Sequence, residues 1–384
     1  LELDNIRALE TTFLNLARLN RCTLKIVFLL FTTIIVSNLF SQTDTLWRKS
    51  PEITFSGYAD VFYAFDFSLP EGNERQPYLV NHNRHNEFNV NHVLVRANLK
   101  HDKYRANLGL HAGTYVHDNY AQEPKALRHI YEANIGLSLS KNNKLWVDVG
   151  VFESHIGFEV SQSTENQTLT RSICAELSPY YFGGAKLSYD PNEKWSFKLL
   201  ALNGWQRIQR LSGNSLLSFG SQIQFKPNAK WLLNWSTFVG TDTPDSTRLM
   251  RYFSNFYTQF KPNDKLNFTL GWDLGVQESA PNTNSYAYWT NLTLIAQYQI
   301  AQKWKTAWRV EVFSDIDGLI VPNSWPNTNF SGFSWNLDYQ PMQNLQIRWE
   351  NRVTKSTSHL FHPQPVSSEI NFVSVISLAL KFEK

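Results

Sequence analysis

The chain has 384 residues, 42% hydrophobic and 14% aromatic, enough apolar mass for one large core or two smaller ones. A mean hydropathy of −0.36 argues against a bundle of membrane helices but not against a membrane barrel, where every second residue of a strand faces water. The net charge of +3 gives no nucleic-acid footprint, and two cysteines, Cys22 and Cys174, leave no disulfide framework and no thiolate metal cluster.

At the amino end, Lys25 precedes the apolar run from Ile26 to Val36, which relaxes through Ser37 and Ser41 to the polar Gln42. A basic start, a short apolar middle and a small residue before a polar one predict a secretory signal. The run is too short to span a bilayer, which takes about 20 residues. Residues 1–41 are therefore expected to be a signal peptide with a doubtful upstream start, and 42–384 a single exported domain.

Beyond it, alternation of apolar and polar residues predicts sixteen strands, at 52–67, 87–99, 103–116, 127–140, 145–153, 180–189, 195–203, 215–226, 231–240, 250–260, 266–277, 286–300, 304–313, 330–339, 345–353 and 369–382. The hairpin around Asp190-Pro191-Asn192-Glu193-Lys194 is the template. Ala185, Leu187 and Tyr189 share one face of its first arm, and Trp195, Phe197 and Leu199 one face of the second; Lys186, Ser188, Ser196 and Lys198 make the polar face. Lys226-Pro227-Asn228 and Lys261-Pro262-Asn263 repeat the turn, since proline presets φ and asparagine tolerates turn geometry. The large residue after each turn is expected to anchor at the hydrocarbon–water boundary.

Short connections alternate with long ones along the whole domain, and the longest is the third long one, 154–179. About ten residues per strand at a rise near 3.3 Å and a tilt near 45° cover roughly 24 Å, the height of an outer-membrane barrel's apolar band. The prediction is an all-β fold: a sixteen-stranded antiparallel transmembrane β-barrel with short periplasmic turns and long extracellular loops. Leu270, Leu292 and Val310 are assigned to the lipid face, Thr293 and Arg309 to the lumen. A soluble propeller or sandwich would also alternate, but would not sort its loops by length.

Charges confined to one side mark that side as wet, because a charge at mid-depth on the lipid face costs about 2–4 kcal/mol. The candidate pore-lining and constriction residues are Arg96, Glu132, Asp148, Lys198, Arg309, Glu311, Arg348, Glu350 and Arg352 on strands, with His155, Glu159 and Arg171 in the third long loop. That loop is expected to fold into the barrel and to set its acidic side chains opposite lumenal arginines such as Arg96, Arg309 and Arg348; an extracellular lid is the alternative. The pair His82/His85 has no nearby carboxylate apart from Glu87, and His359/His362 sits beside Pro363 and Pro365, so neither is expected to hold a metal. No phosphate loop, zinc signature or dinucleotide fingerprint is present, so no catalytic residue, cofactor or metal is expected.

Asn86-Glu87-Phe88-Asn89-Val90-Asn91, the stretch from Ala106 to Tyr115, Ser154-His155-Ile156-Gly157-Phe158-Glu159, Thr170-Arg171-Ser172 and Ser178-Pro179-Tyr180-Tyr181 together resemble the OmpL-like β-barrel porin family of Bacteroidetes outer membranes. The resemblance implies an exported outer-membrane porin passing small hydrophilic solutes, with a channel selective for sugars or anions as a close variant. Expected partners are outer-membrane lipid and those solutes, with a homotrimer as a candidate assembly. The competing class is a barrel that serves as surface adhesin, receptor or membrane enzyme.

Overall fold

The computed structural model describes residues 50–384 apart from 77, 282, 284, 322–327, 358–360 and 362–368. The expected signal peptide, 1–41, and the pair His359/His362 lie outside the described residues.

Sixteen strands form one sheet: β1 Glu52–Asp66, β2 Phe88–Lys100, β3 Tyr104–Ala112, β4 Ile130–Ser138, β5 Leu145–Glu153, β6 Tyr181–Asn192, β7 Trp195–Leu202, β8 Ser218–Asn228, β9 Trp231–Gly240, β10 Arg251–Asn263, β11 Leu266–Glu278, β12 Tyr286–Ala301, β13 Trp304–Asp315, β14 Thr328–Met342, β15 Leu345–Ser356 and β16 Ile370–Glu383. Each pairs antiparallel with its sequence neighbours. β1 then pairs with β16, from Ser56 opposite Glu383 to Asp66 opposite Val373, so the sheet closes and no edge is left. Closure satisfies every strand's backbone without water, which a hydrocarbon setting demands.

The repeated turn shows its mechanism. The Asn192 side chain accepts hydrogen bonds from the backbone N–H of Lys194 and Trp195, and Asn263 does the same for Lys265 and Leu266; Asn228 accepts from Lys230. Each asparagine thus builds an Asx turn into a bulged hairpin end. The aromatic after the turn then stacks across the strand pair: Trp195 on Phe225 at 4.2 Å, Trp231 on Phe260 at 4.1 Å and Trp304 on Tyr339 at 4.5 Å. They make an aromatic girdle at the short-turn end.

The outer face is apolar and exposed, with Leu270, Leu292 and Val310 on it, whereas Arg309 and Thr293 point inward and are wholly covered. What covers them is the chain's own loops. Phe152, Phe182, Phe238, Phe253, Trp289, Phe313 and Phe330 point inward near the long-loop end and pack with Tyr78, Leu79, Ile156 and Ile173 from the loops into an apolar cluster inside the ring. The third strand was expected to reach residue 116, but it stops at Ala112. Gly113 turns at φ 123°, where a side chain would meet the Asn91 carbonyl, and Thr114–Asn119 form a short helix, α1, that buries Tyr115 and Val116.

Candidate functional site in the barrel lumen

Residues 154–179 enter the barrel and lie against its inner wall. Three apolar side chains fix the loop. Leu169 packs with Phe62, Ala64, Val373 and Val375, while Ile156 and Ile173 join the large aromatic cluster. A short helix, α2, Ile173–Glu176, is capped by Ser172, whose hydroxyl accepts from the Ala175 N–H.

Burying a polar loop requires partners for its backbone, and the inner wall supplies them from β8 round to β1. On β9, the Thr237 carbonyl takes His155 Nε2 at 2.9 Å, and the His155 carbonyl accepts from Gln222 of β8 and Ser236 of β9. Asn255 of β10 accepts from Gly157 N–H, Asp273 of β11 from the Cys174 thiol at 2.7 Å, and Asn336 of β14 from Leu169 N–H. Glu350 of β15 accepts from both the N–H and the hydroxyl of Thr170, each at 2.7 Å, and Tyr58 of β1 accepts from Ser163 N–H.

The wall arginines donate to loop carbonyls. Arg309 reaches the Thr170 carbonyl at 2.7 Å, Arg352 the Arg171 carbonyl at 3.2 Å, and Arg348 the carbonyls of Ser163, Asn166 and Gln167. Each also pairs with a wall carboxylate: Arg309 with Glu350 at 2.8 Å, Arg348 with Asp338 through both oxygens, and Arg352 with Glu311. Glu311 accepts in turn from Ile173 N–H.

The expected pattern of loop acids set opposite wall arginines takes a different form: Glu159 lies within electrostatic reach of Arg309, but among the described residues the direct ion pairs of the wall arginines are with wall carboxylates. Arginines and carboxylates both come from the wall, and the loop answers with its backbone. Glu159 stays within the loop and accepts from Ser172, and Arg171 clamps the loop to itself through the carbonyls of Val160, Leu169 and Ser161. Arg309, Glu311, Arg348, Glu350, Arg352, His155, Glu159 and Arg171 are all buried at this seam rather than lining open water. Sequence parity placed the strand residues on the correct face. It held no signal for a second layer lying on top of them.

Among the candidate residues, the partly exposed ones lie on the arc from β2 to β7, on the short-turn side of the points where the loop touches it through Ile156 on Phe152 and Phe182 and through Gln162 on Tyr131. Arg96 is 26% exposed and pairs with Glu132 at 2.7 Å; Arg105 is 34% exposed and grips Asp148 with two bonds of 2.7 and 2.6 Å. Lys186 and Lys198 project inward from β6 and β7, each partly exposed. Lys186 and Asp273 face inward as their strand parity predicts, whereas Arg105, Glu153 and Asp338 also face the lumen without having been among the expected lining residues. The histidines of the first long connection serve structure: His82 Nε2 lies 3.0 Å from Asp60, and His85 Nδ1 accepts from Asp66 N–H.

A model of the family described as "Putative beta-barrel porin-2, OmpL-like" matches residues 52–382. No curated protein sequence matches the chain. Among solved structures, an anion-selective porin from Comamonas acidovorans superposes with a TM-score of 0.57 at 6% identity, covering 87% of this chain and 100% of that one. The outer-membrane channel DcaP of Acinetobacter baumannii gives 0.58 at 10% identity over 87% and 98%. A trimer form of OmpT, an outer-membrane protein of Vibrio cholerae, gives 0.57 at 8% identity over 87% and 100%.

Proposed function

The chain belongs to the putative beta-barrel porin-2, OmpL-like family and is an outer-membrane porin, and we propose that its solute path runs between the docked loop 154–179 and the arc β2 to β7. The carrying observation is the asymmetry of the lumen: the loop seals the wall from β8 to β1, while charged side chains on β2 to β7 keep part of their surface in contact with water. A loop folded inside a wide ring narrows it, so the loop sets the size of solute that passes.

Single-channel recording in a planar bilayer tests this. Wild-type barrels should show discrete conductance steps, and deletion of 160–175 should enlarge them severalfold, because the filled half of the lumen would admit water. Unchanged steps after deletion would refute the constriction. Passage rather than catalysis is supported by the engagement of lumenal carboxylates and histidines in structural bonds; a barrel acting as adhesin, receptor or enzyme would give no steps at all. A homotrimer is the proposed assembly, supported by the trimeric form of the Vibrio neighbour. Native electrophoresis before and after heating should show a band near three times the chain mass collapsing to one.

A further inference from the structure

Charge pairing along the arc from β2 to β7 is incomplete, and the residue left over has a definite sign. Asp148 stands opposite Lys186 in the β5–β6 register, yet both of its oxygens are taken by Arg105 from the other side. Glu132 is taken by Arg96, whose guanidinium also lies 3.7 Å from Glu153. No carboxylate of a described residue lies within 4.0 Å of either the Lys186 or the Lys198 ammonium. Lys186 instead rests on the face of Phe152, 4.6 Å from the ring centroid, which holds a cation without neutralising it.

The two lysines are diagonal neighbours: Lys186 faces Leu200 across the β6–β7 pair, and Lys198 faces Ser188. Inward side chains in that relation stand roughly 7–8 Å apart at their roots, close enough for flexible stems to converge on one small ion. His155 is the nearby titratable group of the loop, and burial holds it down to about 4, so it adds no charge at neutral pH. Glu132 and Asp148 are held by Arg96 and Arg105, Glu153 lies beside Arg96, and Asp190 of β6 acts on Lys198 only from beyond 4.0 Å, so the cationic character of the arc is local to the lysine pair.

We propose that Lys186 and Lys198 form an anion subsite within the solute path, one that takes small oxyanions with two or more oxygens, such as phosphate or a carboxylate, and gives the channel an anion preference. The inference rests on the path proposed above and names the solute class that path favours. An ammonium in a half-desolvated lumen with no carboxylate beside it is costly to keep, and a passing anion compensates it without a fixed partner to block the way.

The test uses the complete barrel in planar bilayers under a potassium chloride gradient. Wild type should give a reversal potential of anion-preferring sign, and inorganic phosphate should reduce its chloride current at concentrations on the order of millimolar, as weak binding compatible with conduction requires. In Lys186→Gln/Lys198→Gln the anion-to-cation permeability ratio should fall severalfold and the phosphate effect should weaken by at least about tenfold, whereas Lys186→Arg/Lys198→Arg should retain both. A wild-type barrel that conducts but shows no anion preference and no phosphate effect overturns the subsite while leaving the path intact, a result that needs no variant. Absence of conductance overturns the path and the subsite together.

Discussion

Arg309 shows how much one side chain holds. It is fully buried, pairs with Glu350 and donates to the Thr170 carbonyl, so it ties wall to wall and wall to loop at once. Removing one member of a buried pair costs about 3–5 kcal/mol, because the other is left charged and dry. Arg309→Met should therefore raise the population of loop-open molecules by roughly two to four orders of magnitude, read as trypsin cleavage after Arg171 in a barrel that remains folded. Cys174 makes a complementary case. Its thiol is buried against Asp273, and burial pushes its pKa well above the usual thiol range. In a chain with Cys22 replaced by serine, a maleimide should leave the folded barrel unlabelled and react only after denaturation.

Glu176, in α2, links the third long loop to the first, accepting from Val80 N–H at 2.6 Å and from the Asn81 side chain at 3.1 Å. Burial pushes its pKa from 4.5 up to about 7. An acid whose pKa is raised on folding favours the folded contact in its protonated form. Its contribution is complete below about 4.5 and is lost as pH rises through about 7. Glu176→Gln removes that dependence. Amide exchange at Val80 should match between wild type and variant near pH 5 and be faster in wild type near pH 8.5; equal rates at both pH values count against the clasp.

At the scale of elements, each strand is a two-sided object and each short turn fixes its register. Leu292, on the outer face of β12, is 43% exposed, and an arginine there at mid-depth should cost about 2–4 kcal/mol and block assembly. Asn98, inward on β2 and partly exposed, is the matched lumenal position; Asn98→Arg should assemble and show the usual heat-dependent shift in mobility. Thr293 also faces inward, but it is wholly covered, so facing alone does not make a position tolerant. Tolerance depends on whether the loop lies over it.

For the whole molecule, the barrel and its plug of loops are separable in one respect. Arg309 with Glu350, Arg348 with Asp338 and Arg352 with Glu311 are pairs within β13 to β15, and they persist when the loop is gone. Deleting 160–175 exposes those charges to water rather than stranding them, so it should be milder for the barrel than Arg309→Met is for the loop. The deletion variant should keep its β-sheet circular dichroism while its conductance rises, and loss of the β signal would show that the loop is needed to hold the ring.

The strands, their facing and the short turns were readable from residue order, because alternation and the Asx turn are local: Asn192 acts on Lys194 and Trp195, and Leu292 and Thr293 differ by one position. That loop 154–179 folds inward was suggested by its length, but its partners were not legible, since they stand far off in the chain: Thr170 meets Glu350 at a separation of 180 residues and Ser163 meets Arg348 at 185. Period two says which side of the wall a residue faces but nothing about what lies against it. Closure of the ring brought β13 to β15 beside the loop, and that contact decided that Arg309, Arg348 and Glu350 are a seam, while Lys186 and Lys198 on β6 and β7 stay partly exposed.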